Sequence, residues 1–382
     1  MDRPEPGAVA LRERLLPGQP FHNFVVLLGW AGRVPWPLWV VLWLALASAT
    51  AALFHRWGVA AAILGGATLA DGLLLWALPR LRRSYGPVAG PLLLFSVGRH
   101  LLSLPLALAP APVDLWLLAG LQGLLGWLSL WGHLVAPFRL RVERVTLPIL
   151  RGEGAGPVRI VFLSDLHLER WTAREDRALA LITALEPDLV LFGGDVLNLS
   201  YVDDAWAQRD AVAFLSALRE KWPLEAVLGN PSVEDRTVVP RLWQQVGHTP
   251  LDGVARHRVR GVELAVFGLP TTSDVDRDAQ RLAHRVAETS LPPEATRLLL
   301  YHRPDLAGRT RGLDVYLCGH THGGQVRVPG LGALVTASAV ERRLAAGTHR
   351  VGDTWMHTGR GLGLEGLGAP RQEAEGDHQP GL

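Results

Sequence analysis

Two different rhythms of apolar and polar positions divide the chain. As far as about residue 136 the apolar residues come in long stretches. Beyond residue 158 they come in short bursts separated by amphipathic segments. Trp36–Phe54 carries no charge, and its length is about enough helix to cross a hydrocarbon layer. Gly58–Leu78 is broken only by Asp71, Pro87–Leu108 is interrupted by Arg99 and His100, and Leu115–Val135 has Gln122 and His133 as its polar members. The pattern predicts about four membrane spans over residues 36–136. Trp36, Trp57, Trp76, Trp116 and Trp131 lie near the span ends, where amphipathic rings favour the interface.

After a connector at 137–157, in which Val145–Leu150 reads as an edge strand, short apolar runs alternate with amphipathic helices, the pattern of an α/β domain. Strands are expected at Val158–Leu163, Asp188–Phe192, Leu224–Leu228, Val262–Phe267, Leu298–Tyr301 and Leu313–Cys318. Helices are expected at Ala173–Leu185, Ala205–Trp222, Arg236–Val246 and Asp276–Glu288. Leu344–Val351 and Thr354–Thr358 read as a closing hairpin around Gly352-Asp353. The chain therefore divides into an N-terminal segment (1–35), a membrane domain (36–136), a connector (137–157), an α/β domain (158–367) and a tail (368–382) whose Gly/Glu/Pro-rich composition predicts disorder.

Composition sharpens this division. Hydrophobic residues make up 48% of the chain and charged ones 19%, too apolar for an average soluble enzyme and consistent with a membrane part joined to a soluble part. A net charge of +2 supplies no field for nucleic acid, and the single Cys318 excludes a disulfide framework or a Cys-based zinc site. Arginines cluster in the N-terminal segment, in the 79–86 turn (Arg80, Arg82, Arg83) and after the last span (Arg139, Arg141, Arg144). The alternate turns hold only Arg56 and Asp114. By the positive-inside rule both ends of the membrane domain face the cytoplasm, placing a multi-pass protein in the inner (plasma) membrane with its α/β domain inside the cell. Asp71 and Arg99 then share the membrane interior on neighbouring helices, read as a structural ion pair in preference to a substrate site.

The residues that close the predicted strands carry the chemistry. Ser164-Asp165-Leu166-His167, Gly193-Gly194-Asp195, Gly229-Asn230, Tyr301-His302 and Gly319-His320-Thr321-His322-Gly323-Gly324-Gln325 each follow an apolar run. Such ends converge at the carboxyl edge of a sheet, where α/β folds place their sites. An isolated His-x-His pair is as readily a solvated loop, and Gly-Gly-Asp is an ordinary turn. Five such motifs in this order point to metal, for which His is the commonest ligand.

With these motifs the chain resembles the calcineurin-like metallophosphoesterases, most of all a membrane-anchored branch with N-terminal transmembrane helices. The likeness runs from about Val158 to Gly363, with softer matches at 323–330 and Gly359–Gly363. The resemblance implies two packed β-sheets flanked by helices. It assigns Asp165, His167 and His322 to one divalent ion and Asn230, His302 and His320 to a second, with Asp195 bridging. It implies hydrolysis of phosphodiester or pyrophosphate bonds by metal-activated water, lipid-linked phosphoesters being the natural substrates beside a bilayer. Mixed N and O donors suit Mn²⁺, Fe or Zn²⁺. The chain departs from the family pattern in one place: Gly-Asn-His-Asp/Glu is here Gly229-Asn230-Pro231-Ser232. The family histidine contacts the phosphate, and Pro231 offers no titratable group in its place. The alternative reading is therefore a metal- and phosphate-binding protein with weak turnover. Glu234, Asp235 and His284 are candidates to replace the missing acid.

Overall fold

The computed structural model describes residues 34–85, 88–149, 156–324, 327–328, 332–333, 338 and 340–363. The N-terminal segment before residue 34 and the tail lie outside these residues. The chain divides into two compact units between His133 and Leu134.

The first unit is a helical bundle of α1 (Trp36–Ala51), α2 (Trp57–Ala77), α3 (Ala89–Ser103) and α4 (Val113–Leu130). Helical turns extend α3 to Leu108 and α4 to Phe138, so three helices of 21, 20 and 26 residues are long and apolar enough to cross a membrane. The expected first span differs. α1 has 16 residues, about 24 Å of helix against the roughly 30 Å of a hydrocarbon core. It stops at Ala51, where Leu53 N–H turns back to Thr50 O (3.2 Å) and Phe54 N–H to Ala51 O (3.0 Å).

Many large apolar side chains face outward in this unit, Trp36 at 75%, Leu44 at 62% and Trp116 at 76% exposure, while the polar Asp71, Arg99 and Gln122 are buried alongside small residues and a few leucines. Ala47, Ala51, Ala60, Leu64 and Leu118 pack together. Arg99 forks onto Asp71, Nε to Oδ2 at 2.6 Å and Nη2 to Oδ1 at 2.9 Å. Its Nη1 donates to Gln122 Oε1 (3.0 Å), and Gln122 Nε2 donates to Ser103 Oγ (2.9 Å). Asp71 and Arg99 thus form an ion pair joining α2 to α3, with Gln122 tying in α4.

The second unit is an α/β fold with two main sheets. The smaller is parallel, β1 (Ile160–Leu163), β2 (Leu189–Phe192) and β3 (Leu224–Ala226) in that order. The larger has the order β10-β11-β7-β6-β5-β4, from β4 (Gly253–Val259), β5 (Val262–Leu269), β6 (Thr296–Tyr301), β7 (Val315–Cys318), β10 (Gly347–Val351) and β11 (Thr354–Thr358). β8 (Arg327–Val328) and β9 (Gly332–Ala333) form a separate ladder.

Leu189 and Leu191 of the small sheet share a core with Leu264, Val266, Leu298, Leu300, Val315 and Leu317 of the large one. The other face of the large sheet, with Phe267, Leu299, Tyr301 and Tyr316, is covered by Leu282 of α8 (Val275–Glu288). β6 is buried on both faces, which is why its sequence reads as a continuous apolar run. On the small sheet, Phe192 meets Trp243 of α7 (Val239–Val246) edge-on, with ring centres 5.7 Å apart. The remaining helices are α5 (Ala173–Leu185) and α6 (Ala205–Arg219).

Two expectations about strands change. Residues 145–149 form no strand, and Leu150 lies outside the described residues. Pro148 has no N–H to give a ladder, and Ile149 N–H instead turns back to Leu147 O at 3.0 Å. The alternation is used all the same, because Leu147 and Ile149 cover the core between the sheets. β4 is a strand that the apolar pattern does not announce. Its exposed Arg256 and Arg258 alternate with half-buried residues, His257 among them, on a sheet edge, a weak signal held by a seven-residue antiparallel register with β5.

Candidate metal centre

Every residue that closes a predicted strand lies at the carboxyl end of an observed one. Asp165 and His167 follow β1, Asp195 follows β2, Asn230 follows β3, His302 follows β6, and His320 and His322 follow β7. The loops are laced by backbone bonds. Asp165 N–H donates to Gly194 O (2.9 Å), His167 N–H to Asp195 O (3.2 Å) and Gly319 N–H to His302 O (2.8 Å).

Five of these side chains sit on left-handed backbone, with φ of 52° at Asp165, 41° at His167, 59° at Asp195, 72° at His320 and 50° at His322. Such conformations cost non-glycine residues about 1–3 kcal/mol each and collect at functional sites. Two glycines make the approach possible. A Cβ at Gly229 would overlap the Asp195 carboxylate, and one at Gly319 would overlap that of Asp165.

The result is two groups of side chains. Asp165, His167 and His322 bring one ligand atom each within 4.8 Å of one another, and so do Asp195, His302 and His320. His167 Nε2 and His322 Nε2 are 3.1 Å apart. Asp195 Oδ2 stands between the groups, 3.8 Å from His167 Nε2 and 3.2 Å from His302 Nε2. Asn230 reaches the second group through its backbone, its N–H donating to Asp195 Oδ1 at 2.8 Å. Its Oδ1 accepts Ser232 N–H at 3.2 Å within its own turn.

Electrostatics prepares these groups for cations. Burial, then the neighbouring His322, lowers His167 to about 4; burial, then His302, lowers His320 to about 4. Both are therefore neutral at working pH, with lone pairs to give. Burial alone would raise Asp195, but His302 and the other imidazoles outweigh it and hold the carboxyl below its usual range. Burial would likewise lower His302, but Asp195 outweighs it and raises His302 to about 9. A cation arriving at the second group must displace that proton. His302 Nδ1 bonds Gly193 O at 2.8 Å, which turns Nε2 toward Asp195.

The Nε2 atoms of His167, His302 and His322 are the ones turned into the two groups, and His302 Nε2, facing Asp195, is buried without a hydrogen-bond partner, a costly arrangement for a polar core with no further purpose. Two imidazoles and a carboxylate per group suit a divalent transition metal. The residues present fit two such ions.

None of the three candidates for the missing acid is presented to this centre as one. Burial, then Asp195, pushes Glu234 up to about 7, but both of its oxygens accept backbone amides, which favour the ionised form. Asp235 Oδ1 accepts Thr237 and Val238 N–H in a cap. His284 is 72% exposed on α8, paired with Glu288 at 2.9 Å.

Comparison with known proteins agrees with this geometry. Residues 158–324 match the calcineurin-like phosphoesterase family. The chain is 33% identical over 257 residues to phosphodiesterase YaeI of Escherichia coli, covering 63% of this chain and 84% of that protein. The chain belongs to the calcineurin-like phosphoesterase family. Within it, the chain is 27% identical over 225 residues to the uncharacterized metallophosphoesterase YkuE of Bacillus subtilis, covering 55% of this chain and 73% of that one. The purple acid phosphatase PPD1 of yellow lupin (Lupinus luteus) overlaps 57% of this chain and 46% of its own at a TM-score of 0.33 and 10% identity, too distant to carry an inference.

As a family member the chain keeps the softer glycine match at 359–363 for a structural reason. Leu362 N–H donates to Ser164 O (3.0 Å) and Gly363 N–H to Asp165 O (2.8 Å), so this segment buttresses the Asp165 loop. Of the second soft match, 325–326 and 329–330 lie outside the described residues.

Proposed function

We propose that the protein is a membrane-anchored phosphodiesterase working through two divalent metal ions, with Mn²⁺ the best fit and Fe or Zn²⁺ alternatives. The observation that carries this reading is Asp195 Oδ2, set between two groups that each combine imidazoles with a carboxylate. Asp165, His167 and His322 would hold one ion, and Asn230, His302 and His320 the other, with Asp195 shared. When bound, the ions supply Lewis acidity toward the phosphate and make a water nucleophilic near neutral pH. The protein's own part is positioning: His302 is oriented by Gly193 O, Asp195 by Asn230 N–H, and Asp165 Oδ1 by His320 N–H at 3.0 Å.

The membrane helices favour a phosphoester of the bilayer as substrate, above all a lipid-linked phosphodiester or pyrophosphate. The arginine pattern supports an inner-membrane, multi-pass protein with the α/β domain in the cytoplasm. Pro231 favours a second reading, a metal- and phosphate-binding protein with little turnover.

One experiment separates the two. The purified full chain, loaded with Mn²⁺, is assayed against bis-p-nitrophenyl phosphate and lipid phosphodiesters while its metal content is measured. Turnover with about two ions per chain supports the enzyme. Two ions without turnover support the binder, and no metal under replete conditions sinks both. For orientation, a reporter fused after Arg144 is expected inside the cell and one near Asp114 outside. The reverse pattern overturns the cytoplasmic placement.

A further inference from the structure

Glu234 lies in the protein interior, 1% exposed, on the turn that follows Asn230. Its two oxygens do different work. Oε1 accepts the N–H of Val196 at 2.9 Å and Oε2 accepts the N–H of Gly229 at 2.6 Å. Val196 is the residue after Asp195, and Gly229 is the residue before Asn230. A single side chain therefore joins the loop after β2 to the loop after β3, one residue from each of two proposed ligands.

The same turn closes on itself through its backbone. Asn230 O accepts Val233 N–H (2.9 Å) and Glu234 N–H (2.7 Å), which carries the Glu234 side chain back under the loop. Arg236 adds a brace, its Nη2 donating to Gly229 O (2.8 Å) and Thr271 O (2.6 Å). Pro231 has no N–H and no polar side chain, so the turn beyond Asn230 takes no fixing contact from that position.

We infer that Glu234 is a positioning residue for the second metal group: its carboxylate staples the Asp195 and Asn230 loops at the spacing that group requires. This rests on the metal-centre reading above. Charge-assisted bonds from a buried carboxylate to two amides are strong, and groups that orient metal ligands typically matter by about 10–100-fold in metal affinity.

The test uses the full chain and the variants Glu234→Gln and Glu234→Ala, with two readouts. Hydrogen exchange at the amides of Val196 and Gly229 reports the staple without any metal. Mn²⁺ titration followed by electron paramagnetic resonance reports how each ion is held. Gln keeps the shape but presents one amide with a donor where it needs an acceptor. The expected result is at least about tenfold faster exchange at one of those amides in Glu234→Gln and at both in Glu234→Ala. The last ion bound should weaken about 10–100-fold while the first is held nearly as before. The signal of paired Mn²⁺ should give way to that of isolated Mn²⁺. Unchanged exchange at both amides overturns the staple. Faster exchange with both ions held as in the parent chain overturns the positioning role, and so does equal weakening of both ions in the isosteric Gln variant. If the parent chain binds no Mn²⁺, the metal reading fails, while the exchange readout still decides whether the staple exists.

Discussion

In the helical unit Arg99 gives each of its three nitrogens an acceptor, two on Asp71 and one on Gln122, whereas in the α/β unit His167 Nε2 and His322 Nε2 face each other at 3.1 Å and His302 Nε2, turned toward Asp195, has no hydrogen-bond partner. Both regions bury ionisable groups and both draw them from separate elements. The difference is in where the interactions end. A charge matched within the protein describes packing, and a set of donors left facing one another describes a place for something else. The surfaces differ as well: the helices expose many large apolar side chains, such as Trp36, Leu44 and Trp116, whereas those of the two main sheets are buried or half-buried.

The largest effect expected from breaking this contrast is at Asp195. Asp195→Ala should reduce metal content from about two ions per chain to none, measured by elemental analysis, because it removes the oxygen placed between the groups. Retention of both ions would show that Asp195 is not shared. Next comes the ion pair. Arg99→Leu leaves Asp71 buried and unmatched and should destabilise the helical unit by about 3–5 kcal/mol, while the Asp71→Leu, Arg99→Leu double variant recovers most of that loss. Thermal unfolding in detergent measures both, with metal content unchanged. A double variant no better than the single would make the pair more than packing.

Pro231→His should raise hydrolysis of a phosphodiester with an alkoxide leaving group by about 10²-fold, the worth of a general acid, and change the p-nitrophenyl ester much less. No gain on the alkyl ester would mean that the role is filled elsewhere. The smallest effect is pH dependence. In the metal-free chain the His302 pKa lies above its ordinary value, so its proton contributes stability that is complete below about 6.5 and lost as pH rises through about 9. A cation competes with that proton. Apparent Mn²⁺ affinity should therefore climb with pH across the same window, by at most about tenfold per unit, and level off above it. A flat titration would remove His302 from the ligand set.

Much of this contrast is legible in the residues, for physical reasons that differ by region. β6 and β7 are buried on both faces and so read as apolar runs, and the residues after them fall where parallel strands end. Asp71 and Arg99 stand out because charge is rare in such stretches. What stays hidden is carried by conformation or by long-range contact. Histidine does not signal left-handed backbone as glycine does, so the turns at His167, His320 and His322 leave no trace in composition. Glu234 sits among Ser232, Asp235 and Arg236, a stretch that reads as solvated, and only the fold reveals that its carboxylate is enclosed. Pro148 has the opposite effect, ending a strand that its apolar neighbours suggest.

Each proposed metal group takes ligands from both sheets: Asp165 and His167 from the small one with His322 from the large, and Asp195 from the small one with His302 and His320 from the large. Neither sheet alone carries a complete set. A newly made chain passes β1, β2 and β3 long before β7 emerges, and the segment that buttresses Asp165 comes later still, at Leu362 and Gly363. The proposed groups are thus complete only once β7 and the segment at Leu362 and Gly363 have joined the small sheet, and ions held there would rivet the two halves of the sandwich together.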